Sequence, residues 1–221
     1  VAEYRQGQVS FRKRKPSVQI ICSDARTAKI VKSGKPHDIL VTSPPYGDNQ
    51  TTIPYGQFSY LTLQWIPEED LPNGWSNEHL ANTHALDSAS LGGSNMDALD
   101  KEEAMKLASP AFAAYVQAAM GAGKATSVRK VATFSYDFLE ALSHIRSQSR
   151  NTAHWIVTTG NRTAAGMRVP FDHICRDVVE FLGGTPIASL RRELPNKRMP
   201  SRNSMGEMIT AETTLVAEFT R

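Results

Sequence analysis

The chain has 221 residues, of which 40% are hydrophobic and 21% are charged, so it is long enough for one globular domain with a substantial core. It has no run of about 18 apolar residues, which excludes a membrane-spanning helix from the prediction, and no apolar stretch near its start suggests a signal peptide. The two cysteines, Cys22 and Cys175, form no CxxC or Cys/His cluster, so neither a disulfide framework nor a metal site is predicted. These features predict a cytoplasmic location.

The net charge of +3 is unevenly distributed. A basic tail over residues 1–17 precedes an acidic stretch at about 67–100, and the C-terminal third is basic again. Its bases include Arg162, Lys197, Arg198 and Arg202. Clustered bases favour binding of nucleic-acid phosphates; the alternative is a set of ordinary solvated surface charges.

The first half of the chain shows four apolar patterns in chain order. They predict a strand over 18–22, a short helix over 24–31, a buried parallel strand over 38–42 and a short helix over 58–66. The paired prolines Pro44 and Pro45 end the second strand, because proline cannot continue a ladder. Residues 67–100 are rich in Asn, Gly and Ser, and they predict an exposed insertion.

The second half alternates helices with strands. The pattern predicts helices over 101–120, 127–148 and 171–182, and strands over 155–159, 187–190 and 213–219. In the helix over 127–148, the apolar residues recur at helical spacing and predict a core face. His154 lies on an apolar strand, so we expect a core residue rather than a general base. The alternation predicts an α/β fold with a largely parallel sheet.

The segment Leu40 to Asn49 carries the most chemical information. It places Ser43, Pro44, Pro45 and Tyr46 directly after a buried strand, at the edge where open α/β sheets bind ligands. The Ser43 hydroxyl and the Pro44 carbonyl could accept the two hydrogens of an exocyclic amine. Tyr46 offers a ring on which a planar base could stack. The alternative is an ordinary tight turn, and Asp48 and Asn49 either line a base pocket or close that turn.

In this context Thr42-Ser43-Pro44-Pro45-Tyr46 resembles the catalytic motif of the amino-group DNA methyltransferases, (Asp/Asn/Ser)-Pro-Pro-Tyr after an apolar strand. The Ser form with a preceding Thr is similar to the N4-cytosine subgroup, whereas the Asp form is more usual for N6-adenine. Further segments similar to this family are 21–26, 46–59, 157–162 and 195–204. The resemblance covers most of the chain from Val18 onward, apart from the insertion.

The resemblance implies a Rossmann-like class I methyltransferase sheet, mainly parallel with a C-terminal antiparallel hairpin, in one catalytic domain over 18–221. It implies methyl transfer from S-adenosylmethionine to an amine of a base flipped out of double-stranded DNA, as in restriction–modification systems. Ser43, Pro44, Pro45 and Tyr46 would be the catalytic residues. Asp24 would bind the cofactor adenine, with a helix N-cap as its alternative role. Asp48 and Asn49 would contact the base, and the basic residues that would contact phosphates are Arg162, Lys197, Arg198 and Arg202.

One feature of that family has no counterpart in this sequence. The Phe-x-Gly-x-Gly or Asp-x-Phe-x-Gly loop, which binds the methionine part of the cofactor after the first strand, is not present. The chain also begins at Val1, so the sequence predicts an incomplete sheet without its first strands. A fragment, one subunit of a split enzyme with a second chain supplying the cofactor half, and a domain adapted to another role all stay open. The functional alternatives are an N-methyltransferase acting on RNA or protein, and a non-catalytic DNA-binding remnant.

Overall fold

A computed structural model of the chain describes residues 18–21, 23–29, 36–47, 55–70, 96–164, 166–194 and 209–220. Six strands and five α-helices lie in these ranges, with one 3-10 turn at Glu68–Asp70. In chain order they are β1 (His37–Thr42), α1 (Tyr55–Leu63), α2 (Ala98–Ala108), α3 (Pro110–Gly121), α4 (Ala125–Ser147), β2 (Ser149–Gly160), β3 (Thr163–Ala164), β4 (Met167–Arg168), α5 (Phe171–Phe181), β5 (Thr185–Glu193) and β6 (Ala211–Phe219).

The main sheet has the strand order β1-β2-β6-β5. β1 runs parallel to β2, whereas β6 is antiparallel to both β2 and β5. The α/β class and the C-terminal antiparallel hairpin are therefore confirmed. The expectation of a mainly parallel sheet is wrong for the described strands, because β6 lies between β2 and β5 and makes two of the three pairings antiparallel.

The helices α4 and α5 pack on one face of this sheet, and α2 and α3 pack on these two helices. Along β2 and β6, Trp155, Val157 and Phe219 point into the core, where they meet the apolar stripes of α4 and α5. The predicted stripe of α4 is confirmed: its buried members are Val128, Val131, Phe134, Phe138 and Leu142. Burial of these aromatic and branched side chains stabilises the stack of helices on the sheet.

The opposite face of the sheet, which we call the open face, stays accessible to solvent. Val41, Ile156, Val216 and Ala188 stand opposite one another in a row across all four strands. Val41 is 70% exposed, and Leu190, further along β5, is 61% exposed. No helix among the described ranges covers this row. The prediction of a core position for His154 is wrong, because this side chain lies on the open face and is exposed.

Two predicted elements near the start of the chain do not form. Residues 18–21 are not a strand, and Val18 and Ile20 are 87% and 92% exposed. A strand needs a neighbour to satisfy its backbone groups, and no described strand lies beside this segment. In the described part of the predicted helix over 24–31, residues 24–29, only a single turn forms, at residues 25–27.

The predicted helix over 101–120 is in fact two helices, α2 and α3. Pro110 has no N–H to donate to the preceding turn, so α2 ends at Ala108. Ser109 then caps α3, because its hydroxyl oxygen accepts from the Phe112 N–H at 3.0 Å. The same hydroxyl donates to Asp177 Oδ2 at 2.7 Å, which ties this corner to α5.

Candidate active site

The segment Ser43 to Gly47 leaves the carboxyl end of β1, as the sequence predicts. The neighbouring strand β2 ends at Gly160 beside it, and Gly160 stands opposite Glu212 of β6. Because β6 runs antiparallel to β2, its first residues lie at the same edge as the carboxyl ends of β1 and β2. The edge therefore brings together residues from three strands.

Gly47 allows the Ser43 to Gly47 segment to pack against the start of α5. Its φ of +87° lies in the left-handed region that favours glycine. A Cβ at this position would stand 3.2 Å from Val169 Cγ1 and 3.5 Å from Phe171 Cβ. The turn after Tyr46 is therefore packed directly on the core.

The ring of Tyr46 lies over Gly160. A Cβ at Gly160 would stand 2.8 Å from Cδ2 and from Cε2 of Tyr46, so only glycine permits this close approach. The half-buried hydroxyl of Tyr46 donates to Glu212 Oε1 at 3.1 Å. Burial is the largest cause that raises the pKa of Tyr46, and Glu212 raises it further, whereas the Ser43 hydroxyl acts in the opposite direction.

Glu212 joins two elements at this edge. Its second oxygen, Oε2, accepts from Arg192 Nη2 of β5 at 2.5 Å. The Glu212 side chain is 17% exposed and that of Arg192 is 73% exposed, so the pair runs from the site to the surface. Ser43 Oγ lies 3.5 Å from the Tyr46 hydroxyl. Ser43, Tyr46, Glu212 and Arg192 therefore form a continuous set of contacts, which we call the Ser43–Arg192 chain.

A second polar cluster lies at the first turn of α5. The Asp172 N–H donates to Asn161 Oδ1 at 3.1 Å, and Thr213 Oγ1 donates to Asp172 Oδ2 at 3.5 Å. These contacts hold the end of β2, the start of α5 and the start of β6 together. Sequence reasoning did not single out Asn161, Asp172, Arg192 or Glu212. The predicted topology could have pointed to Glu212, because a last strand that runs antiparallel to its neighbours begins at their carboxyl edge.

Of the other residues proposed for substrate binding, only Arg162 lies within the described ranges. Arg162 directly follows Asn161, but it is only 6% exposed, and its carbonyl accepts from the Val169 N–H at 2.7 Å. Its contact with a DNA phosphate stays a prediction that would require the guanidinium to reach solvent. Five residues of the predicted set lie outside the described ranges: Asp48, Asn49, Lys197, Arg198 and Arg202.

Asp24, the residue predicted to bind the cofactor, lies elsewhere. Its turn is fastened to the end of α4, where His144 Nε2 lies 2.8 Å from the Ala28 carbonyl oxygen. Because α4 ends just before β2 begins, this is the amino edge of the sheet, opposite the edge that carries Ser43. Both carboxylate oxygens of Asp24 accept from Arg26, with Nη2 to Oδ2 at 2.7 Å, and this bonding lowers the pKa of Asp24.

The described residues do not fit S-adenosylmethionine. Asp24 faces a cavity of about 710 Å³ between α4 and the end of α5, with its carboxylate already bonded to Arg26. The strand expected to precede Asp24 is not formed, so nothing described directs that carboxylate toward Ser43. No group of residues suited to a metal ion occurs within the described ranges.

Cys175, the cysteine within the described ranges, is not placed to act as a nucleophile. Cys175 is fully buried on α5, and burial, with a smaller effect from Asp172, raises the pKa of its thiol to about 12. Such a thiol stays protonated at neutral pH and is a poor nucleophile.

The structure thus places the Ser-Pro-Pro-Tyr segment at the carboxyl edge of an α/β sheet, the edge at which open α/β sheets bind ligands. Over 167 residues, or 76% of the chain, the sequence is 29% identical to the Type II methyltransferase M.MvaI of Kocuria varians. The match spans 35% of the length of that relative, so the chain corresponds to about a third of it. The chain is therefore distantly related to a type II methyltransferase.

No model of a known protein family matches the chain. None of the helices in the described ranges is long and apolar enough to span a bilayer.

Proposed function

We propose that the chain is the target-base half of an S-adenosylmethionine-dependent DNA amino-methyltransferase of a restriction–modification system, with N4 of cytosine as the acceptor. The observation that carries the proposal is the Ser43 to Tyr46 segment at the carboxyl end of β1, in a chain distantly related to a type II methyltransferase. The four-stranded order β1-β2-β6-β5 with its antiparallel end supports half of a Rossmann-like methyltransferase sheet.

In this proposal Ser43 and Pro44 hold the amino group of the target base. The Ser43 hydroxyl oxygen and the Pro44 carbonyl oxygen each accept one of its hydrogens. The lone pair of an exocyclic amine is delocalised into the ring, so these two bonds draw the nitrogen toward a tetrahedral and more nucleophilic form. Holding the nitrogen in one orientation also increases the rate of transfer, because the reacting groups are already positioned when the reaction begins.

The target base reaches this site by leaving the duplex. An amino group that takes part in base pairing is inaccessible to an enzyme inside the helix, so the nucleotide must be flipped out. The Tyr46 ring then stacks on the base, an interaction typically worth about 1–3 kcal/mol. Asp48 and Asn49 would contact the base, and Arg162, Lys197, Arg198 and Arg202 would contact backbone phosphates.

The proposed function is tested in cells. The gene is placed on a plasmid together with its flanking sequence, and the plasmid DNA is digested to nucleosides for mass spectrometry. We expect N4-methylcytosine. N6-methyladenine would reassign the target base, whereas DNA free of both modified bases would contradict a DNA methyltransferase and favour RNA or protein substrates or a non-catalytic role.

We further propose that the open face, and the edge of β1 that pairs with no described strand, receive the cofactor-binding half, whether that half is a separate chain or another part of a longer one. Parallel strands are normally buried on both faces, with a neighbour on each side. β1 is parallel to β2, yet Ile39 and Val41 are 59% and 70% exposed. Because the matched relative is about three times longer than the match, it has ample additional sequence for such a half. The occupant would add a strand along β1 and helices over the row that contains Val41 and Ile156.

Calorimetry and a pair of variants test this docking surface. The chain alone should bind S-adenosylmethionine only weakly, and adding the polypeptide encoded beside it should restore binding. Val41→Lys should prevent that restoration without changing the Tm of the isolated chain, because Val41 is already 70% exposed. Leu107→Lys, at an 84% exposed position on α2, is the matched control and should behave as wild type. Micromolar binding by the chain alone, or a self-dimer abolished by Val41→Lys, would refute this docking surface.

A further inference from the structure

Glu212 holds the hydroxyl of Tyr46 in one orientation. A carboxylate can only accept hydrogen bonds, and the two Glu212 oxygens accept from Tyr46 at 3.1 Å and from Arg192 at 2.5 Å. The guanidinium of Arg192 supplies the positive charge that pairs with the carboxylate. The single hydroxyl hydrogen of Tyr46 is therefore directed at Glu212.

This orientation decides which of the two hydroxyls, Tyr46 or Ser43, can donate to the other. With its own hydrogen used, the Tyr46 oxygen can only accept, and Ser43 Oγ lies 3.5 Å away. That distance is long for two hydroxyl groups, as is common for hydrogen bonds of an active site before its ligand is bound. In a hydrogen bond between these two hydroxyls Ser43 must therefore be the donor, which leaves the lone pairs of Ser43 Oγ for a ligand.

We propose that Glu212 is a positioning residue that makes Ser43 an obligate hydrogen-bond acceptor, so that the site selects an exocyclic amino group over a ring carbonyl. This inference rests on the proposed function, and it adds that the site recognises its ligand by the two hydrogens of the amino group. With Ser43 fixed as an acceptor, Ser43 Oγ and the Pro44 carbonyl oxygen are two acceptors and match the two hydrogens of an amine. A ring carbonyl presents only lone pairs, so it would leave both protein oxygens unpaired.

The orientation of Tyr46 is tested first, without any ligand. The chain is labelled with [ζ-13C]tyrosine, Tyr46 is assigned from the Tyr46→Phe variant, and its titration is followed by NMR. Since Glu212 contributes to raising the pKa of Tyr46, Glu212→Gln should lower that pKa. Glu218→Gln is the matched control, because Glu218 lies on the same strand opposite His154, and it should leave the titration of Tyr46 unchanged.

Selection of the amine is tested second, with short single-stranded DNA whose central nucleotide is dC or dU and whose flanking nucleotides are abasic. Single-stranded DNA avoids the cost of base flipping. By fluorescence anisotropy, the wild-type chain should bind the dC strand about tenfold more tightly, as expected for a site that leaves polar groups unpaired with the wrong ligand. The ratio should fall to about two or less in Glu212→Gln and in Tyr46→Phe, because Ser43 is then free to donate.

The outcomes separate the two proposals. If Glu212 acts through Tyr46, the double variant should show the same dC to dU ratio as Tyr46→Phe alone. A preserved preference in Glu212→Gln, or an unchanged titration of Tyr46, would overturn the role of Glu212 while leaving the proposed function intact. Equal binding of dC and dU by the wild-type chain would instead contradict the proposed function, whatever the titration shows. Far-UV circular dichroism of each variant verifies that the fold is kept.

Discussion

Ser43→Ala is expected to lower methylation of plasmid DNA by about 100-fold or more, a typical result of removing one group that stabilises a reaction's charge or geometry in a closed site. The methyl group of alanine cannot accept the amine hydrogen, so only the Pro44 carbonyl would still hold the target nitrogen. Because Ser43 is exposed and its described side-chain contact is the 3.5 Å approach to Tyr46, the Tm of the chain should stay within about 1 °C of wild type. The readout is the fraction of modified cytosine by mass spectrometry.

Two further variants make the Ser43 result specific. Ser43→Asp restores an acceptor at the same place and should recover part of the methylation lost in Ser43→Ala. Ser189→Ala removes the hydroxyl of an exposed serine on β5 and should have no effect. Undiminished methylation by Ser43→Ala would refute the role assigned to the Ser43 to Tyr46 segment.

Phe171→Ala is expected to reduce the free energy of unfolding by about 3–5 kcal/mol, the usual range for truncation of a fully buried phenylalanine. Phe171 is 0% exposed, and its ring centroid lies 5.3 Å from those of Phe134 and of Phe138. Truncation would leave a cavity beneath the first turn of α5 and would remove contacts with both aromatic rings. The measurement is urea unfolding followed by circular dichroism, with the slope of the transition compared between variants.

The control for Phe171→Ala is Phe58→Ala on α1. Phe58 is 73% exposed, so its truncation should change the free energy of unfolding by less than about 0.5 kcal/mol. Phe171→Leu should fall between the two, because most of the buried volume is kept. A loss below about 1 kcal/mol in Phe171→Ala would show that the described core does not carry the stability of the chain.

Local patterns in the sequence predicted those helices and strands that depend on the spacing of apolar residues and on the positions of prolines. The apolar run ending at Pro44 and Pro45 predicted β1 as a parallel strand, which is confirmed. The predicted burial of that strand is wrong for the described structure, because Ile39 and Val41 are 59% and 70% exposed. The helical spacing along α4 predicted its buried face, which is confirmed. The helix-breaking residue Pro110 was also visible in the sequence, but the Ala-rich composition around it favoured the prediction of one continuous helix. Proline decided the outcome, since its missing N–H cannot be replaced by the good helix propensity of its neighbours.

Features that depend on distant partners could not be predicted in the same way. The apolar residues from Val18 to Ile21 have the composition of a strand, yet without a neighbour they form none. The motif residues at Ser43 and Tyr46 were found because they are contiguous in sequence. Glu212 was not, because its approach to Tyr46 follows from the register of β6 on β2, which no local pattern encodes.

The pairing of β1 with β2 brings together residues that are more than a hundred positions apart, as with Leu40 and Trp155. The entropy lost on closing such a long loop grows only logarithmically with its length, by about 0.6 kcal/mol for each doubling. The helices α1 to α4 lie between these two strands, and the packing of α2, α3 and α4 on one another fixes the path of much of that segment. A change in the number of residues between Asp70 and Met96 is therefore expected to add only a small entropic cost to the pairing of β1 with β2.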